Sequence, residues 1–516
     1  MIGQSDPKLR TFPDSPLPEV VLVTPGDNAF AKRVSRLAQQ GRLRRLHRGL
    51  YSSNLRAKDE SVVARNWSKI LAYVMPNAVI SHRSGFDGTP NQGVLYVSRA
   101  AGRREVGLPG LLIQALVRPE LGPVLKTNSP GASDVAYNGV YLASQPRAFL
   151  ENLTVDKRLA PRQLPRADVE GRLERILAVR GAVALAALRD GAREVADRLK
   201  MQSEFREFDA IVGTLLGSRR TRLSSAQALA RVQGRPYDAE RLTLFEGVAT
   251  QLRNFPFAEV AEPARAGHAR DMFAFVESYF SNYIEGTTFT LDEADEIIFA
   301  GKIIALRTED SHDIKRTFEA AQRDPFYNQA PTDEDSFLTW LRRANAQVLH
   351  TRADKAPGQW KTVPNQAGNT VFVLPELVPA TLQQAWPLFG TMDHAMAKAL
   401  FAMFVVAEVH PFADGNGRTA RLLMNCILSK GEQCRIIVPT VFREDYLLSL
   451  KALTHRGDAE AYIRVMRLCQ AWSNELDYDV DVRNMHQQLV ACNAIQDDTR
   501  AYRLLSPRTG QPMAVP

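Results

Sequence analysis

The feature that most constrains this chain is a short polar loop, His410 to Arg421, which reads HPFADGNGRTAR. The stretch before it, Asp393 to Val409, is mostly apolar and rich in helix formers, so it predicts a buried helix. Pro411 ends that helix, and the apolar spacing in RTARLLMNCILSK predicts another one. The sequence therefore predicts two helices of one bundle that are joined by a tight turn.

The turn itself has the composition of a phosphate-binding loop. Gly415, Asn416 and Gly417 are expected where the second helix opens, and glycine permits positive φ and close approach of a ligand to the backbone. A helix N-terminus offers free N–H groups and the positive end of a dipole, which suit phosphate. Arg418 and Arg421 add guanidinium groups one turn apart.

Two further side chains of the loop suit catalysis. Asp414 can hold Mg²⁺, which is usually bound through one or two carboxylates together with phosphates and water. His410 stands at the mouth of the loop, and with a pKa near neutral it would serve as a general base. The alternative is a helix–turn–helix corner in which the glycines serve the turn and the histidine is merely buried. The combination of Asp, Asn, Gly and Arg at this spacing favours a catalytic, phosphate-binding loop over the purely structural corner.

The loop resembles the signature of the Fic family, H-P-F-x-[D/E]-G-N-G-R-x-x-R, at nine of its twelve positions, which are all the fixed ones. The resemblance implies transfer of AMP from ATP to a Ser, Thr or Tyr hydroxyl of a protein. It assigns deprotonation of that hydroxyl to His410, Mg²⁺ to Asp414 and the outer phosphates to Arg421. A phosphorylating branch of the family carries Lys in place of Gly417, which argues against that branch here. The implied nucleotide-binding residues are Asp414, Gly415, Asn416, Gly417, Arg418, Thr419, Arg421, Val371, Phe372, Val373, Leu374 and Tyr446.

A second motif, SNYIEG, contains Ser281, Glu285 and Gly286 and precedes His410 by 125 residues, counted from Glu285. The motif is common by composition, but Fic proteins often carry an inhibitory helix at such a distance. The resemblance implies that Glu285 pairs with Arg421 and blocks the site of the γ-phosphate. The same site would also remove AMP, with Glu285 placing water. The alternative is a surface glutamate near an ordinary helix end.

The stretch from Gly358 to Pro379 predicts a β-hairpin around Gly368-Asn369. It resembles the Fic flap, which pairs with an extended segment of the target protein. Val371–Leu374 is expected to be the strand nearest the nucleotide, and Tyr446 matches the family's aromatic residue near adenine. The alternative is a hairpin that only caps the bundle.

The N-terminal region is basic. Asn28 to Gln40 predicts an amphipathic helix with Asp27 as its N-cap and Gly41 at its end. This helix and the following GRLRRLHRGLYSS resemble the recognition helix and wing of AbiEi-type antitoxin and regulator proteins, over roughly residues 20–200. That family usually has a further helix in front. In this chain residues 1–26 are Pro-rich instead, and they are expected to form a loop with a short strand at Val20–Val23. The resemblance implies DNA binding through Arg33, Arg36, Arg42, Arg44, Arg45 and Arg48. The alternative is a solvated basic helix and hairpin.

The distribution of charge divides the chain into a basic first half and an acidic second half. The net charge is +8, with 38 Lys and Arg against 24 Asp and Glu in residues 1–250, and 27 against 33 in the remainder. Different partners are therefore expected for the two halves. Four cysteines without a C-x-x-C pair fit a reducing cytoplasm, and neither a leader sequence nor a membrane span is expected.

The sequence thus predicts a multidomain protein with a mainly α-helical, Fic-like bundle and a β-hairpin flap, preceded by a winged-helix and α/β region. The expected segments are a winged helix over 1–90, an α/β domain over 91–200, a helical connector over 201–264, the Fic domain over 265–480 and a tail over 481–516. The leading hypothesis is a cytoplasmic adenylyltransferase that uses ATP and Mg²⁺ and modifies a target protein or itself. The alternative is a DNA-binding regulator or antitoxin-like protein whose Fic domain senses nucleotide. A homodimer is also compatible with the sequence.

Overall fold

Strands are concentrated in the first third of the chain, and helices dominate the rest of it. The structure is a computed structural model that describes residues 17–24, 26–154, 156–498 and 501–514. The expected N-terminal loop over 1–26 lies largely outside the described residues. The chain divides into two compact units, with the boundary between Gln233 and Gly234. The expected connector over 201–264 is therefore shared between the units.

The first unit begins with a small sheet packed on one helix. Strands β1 (Val20–Leu22), β3 (Leu50–Ser52) and β2 (Arg44–His47) pair antiparallel in that order. Helix α1 (Asn28–Gln39) is capped by Asp27, which accepts a hydrogen bond from the Phe30 amide at 3.0 Å. The predicted helix, its cap and the hairpin after it are confirmed. Among residues 17–24 and 26–27, which precede α1 in the described chain, there is no further helix.

A six-stranded mixed sheet comes next in the chain, in the order β6-β7-β5-β4-β9-β8. The strands are β4 (Val79–Ile80), β5 (Val94–Arg99), β6 (Glu105–Leu108), β7 (Leu111–Val117), β8 (Val135–Tyr137) and β9 (Val140–Leu142). Helix α2 (Asp59–Val74) buries Val62, Ile70 and Leu71 in the same apolar cluster as strand residues. The expected domain boundary at residue 90 falls between β4 and β5, which are hydrogen-bonded neighbours.

Helices complete the first unit: α3 (His82–Asp87), α4 (Gln145–Glu151), α5 (Arg166–Leu199), α6 (Gln202–Leu215) and α7 (Ala226–Val232). Helix α5 is interrupted at Gly181, whose φ of 78° no other residue type adopts easily. In α4 the fully buried Arg147 pairs with Asp134 at 2.6 Å and Glu151 at 3.0 Å, so its charge is compensated inside the core.

The second unit is a helical bundle. Its helices are α8 (Ala239–Asn254), α9 (Gly267–Ile284), α10 (Leu291–Ile298), α11 (Thr308–Gln322), α12 (Glu334–Val348), α13 (Val378–Phe389), α14 (Ala395–Val409), α15 (Asn416–Lys430), α16 (Arg443–Arg456), α17 (Glu460–Glu475) and α18 (Val482–Ala491). Helix α14 is apolar around nearly its whole circumference and is almost entirely buried, as expected for a central helix. The polar loop joins α14 and α15, which are the two helices that the sequence predicts on either side of it.

The predicted hairpin is also present. Strands β10 (Gln366–Ala367) and β11 (Thr370–Val371) pair antiparallel around Gly368-Asn369. Short 3₁₀ helices lie at Pro119–Leu121, Lys157–Arg162, Ala353–Lys355, Pro375–Leu377 and Thr440–Phe442. Within the described chain, every helix is too short or too polar to cross a bilayer.

Candidate nucleotide-binding site

The polar loop is held in a tight turn by its own side chains. His410 ends α14 with a left-handed φ of 51°, and Gly415 precedes α15 with a φ of 73°. Between them, the Asn416 amide accepts from the Phe412 N–H at 2.8 Å and donates to the Phe412 carbonyl at 2.9 Å. Asn416, expected on the nucleotide, is buried and closes the loop. It therefore fixes the position of the α15 N-terminus relative to His410.

His410 has a defined orientation. Its Nδ1 lies 3.2 Å from the Ala407 carbonyl, which can only accept, so Nδ1 carries the proton and Nε2 is left as an acceptor. The imidazole is stacked on the ring of Phe372, with centroids 3.9 Å apart and planes 8° apart. Burial, together with the charge of Lys361, lowers the pKa of His410 to about 4. The expectation of a pKa near neutral is wrong for this structure, because the ring is desolvated beneath Phe372.

Lys361 is a component of the site that the sequence did not indicate. Its backbone N–H donates to the Pro411 carbonyl at 2.9 Å, and its Nζ lies 3.3 Å from the Val409 carbonyl. The backbone N–H and the side chain of Lys361 thus contact the two residues on either side of His410 in the chain. Nζ also donates to Asn365 at 2.6 Å, and burial lowers the pKa of Lys361 to about 7. These contacts support the left-handed conformation of His410, which costs free energy in a non-glycine residue.

The predicted partnership of Glu285 and Arg421 is present. Arg421 Nη2 lies 2.7 Å from Glu285 Oε1, and the same guanidinium donates to Ser281 Oγ at 3.0 Å and to the Ser281 carbonyl at 2.8 Å. Burial alone would raise the pKa of Glu285, but the charge and hydrogen bond of Arg421 lower it overall. Glu285 is therefore ionised at neutral pH. Gly286, with a φ of 97°, ends the helix directly behind it.

Gly417 explains how the carboxylate fits. A side chain at this position would collide with Glu285 Oε1 and would come within 3.0 Å of Arg421 Nη1. Gly417 lies in the first turn of α15, so its N–H has no acceptor inside the helix. The residue therefore leaves an open space above the helix N-terminus, and in this structure the carboxylate of Glu285 reaches into it.

Arg418 lies elsewhere than expected. The residue is 4% exposed, and its guanidinium sits 2.7 Å from Asp313 in α11 and 3.7 Å from Asp414. Asp313 also pairs with Arg352 at 2.9 Å, so one buried carboxylate holds two arginines. Arg418 is held by this network, and its contact with phosphate stays a prediction. No local pattern in the sequence points to Asp313 as the partner of Arg418.

Asp414 is placed to meet a ligand at the loop. Its carboxylate is 41% exposed and accepts from the Gly415 N–H at 2.6 Å. Its carbonyl is held by Asn345 Nδ2 at 2.9 Å, which fixes the backbone. Within the described chain there is no cluster of three or more His, Cys, Asp or Glu that could hold a metal. A cation here would need oxygen atoms from a bound phosphate as well, which is the usual manner of Mg²⁺ binding.

The other expected nucleotide contacts are divided by burial. Thr419 is fully buried, and Tyr446 is buried with its hydroxyl 4.0 Å from Met403 Sδ. Burial raises the pKa of Tyr446 against the opposing charge of Arg421, so this ring lies beside the arginine. In the flap, Val371 is exposed and ends β11, whereas Phe372, Val373 and Leu374 continue as loop, and Val373 is buried. Phe372 covers His410, and the sequence did not indicate this contact.

Most of the arginines that are expected to bind DNA lie exposed on the first unit. Arg33, Arg36, Arg42, Arg45 and Arg48 are exposed. Arg44 differs, because its guanidinium lies 2.5 Å from Asp59 and donates to the Ala57 carbonyl at 2.6 Å. It ties β2 to the start of α2, and its expected role in binding DNA stays a prediction.

Comparison with known proteins agrees with the geometry of the loop. Residues 335–428 match the Fic/DOC family, and this segment includes His410 and Arg421. This match supports the Fic family for the second unit. The chain is 28% identical over 196 residues to protein adenylyltransferase fic-1 of Caenorhabditis elegans, covering 37% of this chain and 38% of the relative. It is 31% identical over 250 residues to protein adenylyltransferase Fic of Drosophila mojavensis, covering 46% and 48%. The chain thus spans less than half the length of these curated relatives.

Two solved structures are also similar. A signaling protein with a Fic domain from Bacteroides thetaiotaomicron is 19% identical, with 46% of this chain and 99% of that chain covered and a TM-score of 0.36. Fic-1 from C. elegans is 20% identical, with 64% and 91% covered and a TM-score of 0.35.

Proposed function

We propose that the second unit is a protein adenylyltransferase, which transfers AMP from ATP to a Ser, Thr or Tyr hydroxyl of a protein. The observation that carries the proposal is the position of His410 directly before a glycine-flanked helix N-terminus, with Arg421 on the same helix. The likeness to named adenylyltransferases supports the same reaction.

The reaction is consistent with these positions. The target hydroxyl oxygen attacks the α-phosphorus of ATP, a P–O bond forms, and the bond to the β-phosphate oxygen breaks to release pyrophosphate. His410 Nε2 takes the hydroxyl proton, since Nδ1 is engaged with Ala407. The N–H groups at the start of α15 face the phosphates, and they stabilise negative charge that develops there.

Asp414 is the residue that fits Mg²⁺, because its carboxylate is partly exposed beside the helix N-terminus. When bound, the ion would neutralise charge on the phosphates. Asp414 would orient it, and the Asn345 contact to the Asp414 carbonyl keeps the backbone of this residue in place.

Glu285 is proposed to inhibit this reaction. Its carboxylate pairs with Arg421, the group that would bind the γ-phosphate. ATP could then bind only with that phosphate displaced, and the α-phosphate would be poorly aligned for attack. The same carboxylate could orient a water for removal of AMP.

The test of the reaction class uses the purified chain with ATP labelled at the α-phosphate and with a cell lysate. A covalent gain of AMP on the chain or on a lysate protein, detected by intact-mass spectrometry, is the expected result. A gain of phosphate in place of AMP would overturn the proposal, and so would no gain from both the wild type and Glu285→Gly. His410→Ala serves as the control for chemistry that does not depend on the site.

The second candidate function, a DNA-binding regulator whose Fic domain senses nucleotide, is favoured by the first unit alone. Exposed arginines on α1 and at the hairpin, such as Arg36 and Arg45, form a basic surface that suits a phosphate backbone. Labelled duplex DNA at low salt tests it directly. The absence of binding there would remove this candidate without affecting the adenylyltransferase.

A further inference from the structure

A buried carboxylate lies two residues before His410. Glu408 is in the last turn of α14, and its side chain is 3% exposed. Arg241 in α8 places Nη1 2.6 Å from Glu408 Oε1, and Thr454 in α16 donates to Oε2 at 2.6 Å. A buried charge is stable only when it is compensated in this way. Neither the phosphate-binding loop nor the inhibitory pair uses these three residues.

Helices α8 and α16 also hold the flap. Arg241 Nη2 donates to the Val371 carbonyl at 2.7 Å, and His455 Nε2 lies 3.2 Å from Thr370 Oγ1. Both flap residues belong to β11, the strand that leads directly into Phe372. Phe372 in turn is stacked on the His410 ring. One guanidinium therefore connects the last turn of α14 with the strand that covers the end of that helix.

The register of the hairpin explains why the Val371 carbonyl is available. Ala367 pairs with Thr370, and the Phe372 N–H donates to the Asn365 carbonyl at 3.2 Å. In an antiparallel ladder the pair between two such hydrogen-bonded pairs turns its backbone groups outward. Val371 occupies that intermediate position, opposite Gln366. Its carbonyl thus belongs to the outer edge of the flap, where Arg241 is bound.

We propose that Arg241, held in place by Glu408, is a positioning residue that fixes the outer strand of the flap over His410. The inference rests on the proposed function, because a fixed flap matters only if it presents a protein hydroxyl to His410. The consequence is that the Arg241–Glu408 pair sets the alignment of the acceptor protein and leaves ATP binding unchanged.

Arginine suits this role for a geometric reason. Its planar fork reaches two acceptors at once, whereas the ammonium of lysine is a single point of charge. Arg241→Lys should keep the compensating charge beside Glu408 and lose the bond to Val371. Arg253→Lys, at an exposed position near the other end of α8, makes the same chemical change without touching the flap.

The experiment measures hydrogen–deuterium exchange of the segment 362–374 in the full chain, at times from below one second to minutes. Exchange should be faster in Arg241→Lys and in Glu408→Gln than in the wild type and Arg253→Lys. In a Glu285→Gly background, transfer of labelled AMP should fall by up to about 10²-fold in Arg241→Lys, as expected for misplacement of the acceptor by ~1 Å. The KM for ATP should not change.

The outcomes separate the two proposals. Wild-type exchange of the flap in Arg241→Lys would overturn the positioning role, as would a loss of transfer explained wholly by a raised KM for ATP. Faster exchange together with no AMP transfer in any variant would retain the role of Arg241 in holding the flap and overturn the adenylyltransferase. If Glu408→Gln does not fold, Arg241→Lys decides alone, because it leaves the buried charge compensated.

Discussion

The carboxylate of Glu285 and the guanidinium of Arg421 form an ion pair between the end of α9 and the first turns of α15, with Oε1 and Nη2 2.7 Å apart. The two residues are separated by 136 positions in the chain. Their contact places an acidic group in the space that Gly417 leaves open above the helix N-terminus. An anion is thus already present where a nucleotide phosphate is proposed to bind, which is the physical basis of the proposed inhibition.

Replacing Glu285 by glycine should raise AMP transfer by up to about 10²-fold, because Arg421 becomes free and the α-phosphate can align. The measurement is self-modification with labelled ATP. Arg421→Ala in the same background should cancel the gain. Removal of AMP should fall in Glu285→Gly, because Glu285 is proposed to orient the water. Glu432→Gly is a matched control, since Glu432 is 76% exposed and follows the end of α15 with a positive φ. Equal rates in Glu285→Gly and the wild type would show that Glu285 does not inhibit.

His410→Ala should lower transfer by ~10²–10⁴-fold, which is the usual contribution of a general base. ATP should still bind, because the proposed phosphate contacts are made by α15 and Arg421. The change is made in the Glu285→Gly background, where the starting rate is high. Calorimetry with ATP and a transfer assay separate the two effects, and a variant with undiminished turnover would exclude His410 as the base.

The pH dependence of transfer should lack an inflection near the ordinary histidine pKa. Burial lowers the pKa of His410 to about 4, so the neutral, proton-accepting form prevails above that value. Activity should stay level across neutral pH and decline only as the pH falls toward 4. A rate profile of the Glu285→Gly variant measures this directly. A decline centred near the ordinary histidine value, about 6.5, would mean that Phe372 leaves His410 and the ring is solvated when substrate binds.

Asp414→Ala should abolish the activation by Mg²⁺. The loss of the metal's charge stabilisation, several kcal/mol, corresponds to on the order of 10²-fold or more in rate. Transfer is followed during a titration with Mg²⁺, and Asp354→Ala, at an exposed site in a 3₁₀ turn, is the control. Activity that persists at the wild-type level and still needs Mg²⁺ would assign the metal to another residue.

Arg45→Ala with Arg48→Ala should weaken duplex DNA binding and reduce its salt dependence by ~0.9 in slope for each lost phosphate contact. Fluorescence anisotropy over a series of salt concentrations gives that slope. The exposed Arg104 is a control of the same charge in the same unit. Arg44 is left intact, because its loss would unpair Asp59. An unaltered slope in the double variant would exclude this surface as the contact.

Local features of the sequence were sufficient for the loop and its neighbouring helices. Apolar periodicity predicts α14 and α15, and Pro411 and Gly415 mark the turn between them through their backbone preferences. The cap at Asp27 and the hairpin at Gly368-Asn369 arise in the same way. These outcomes depend on interactions between residues close in sequence, so the sequence alone determines them.

Other features were decided only by the tertiary structure. The sequence contains many arginines and carboxylates, and nothing in their spacing says that Arg418 pairs with Asp313 or that Arg241 pairs with Glu408. The lowered pKa of His410 likewise depends on the Phe372 ring that covers it. Ion-pair choice and desolvation depend on which helices pack together in three dimensions. Residues far apart in the sequence acquire those relationships only when the bundle has formed.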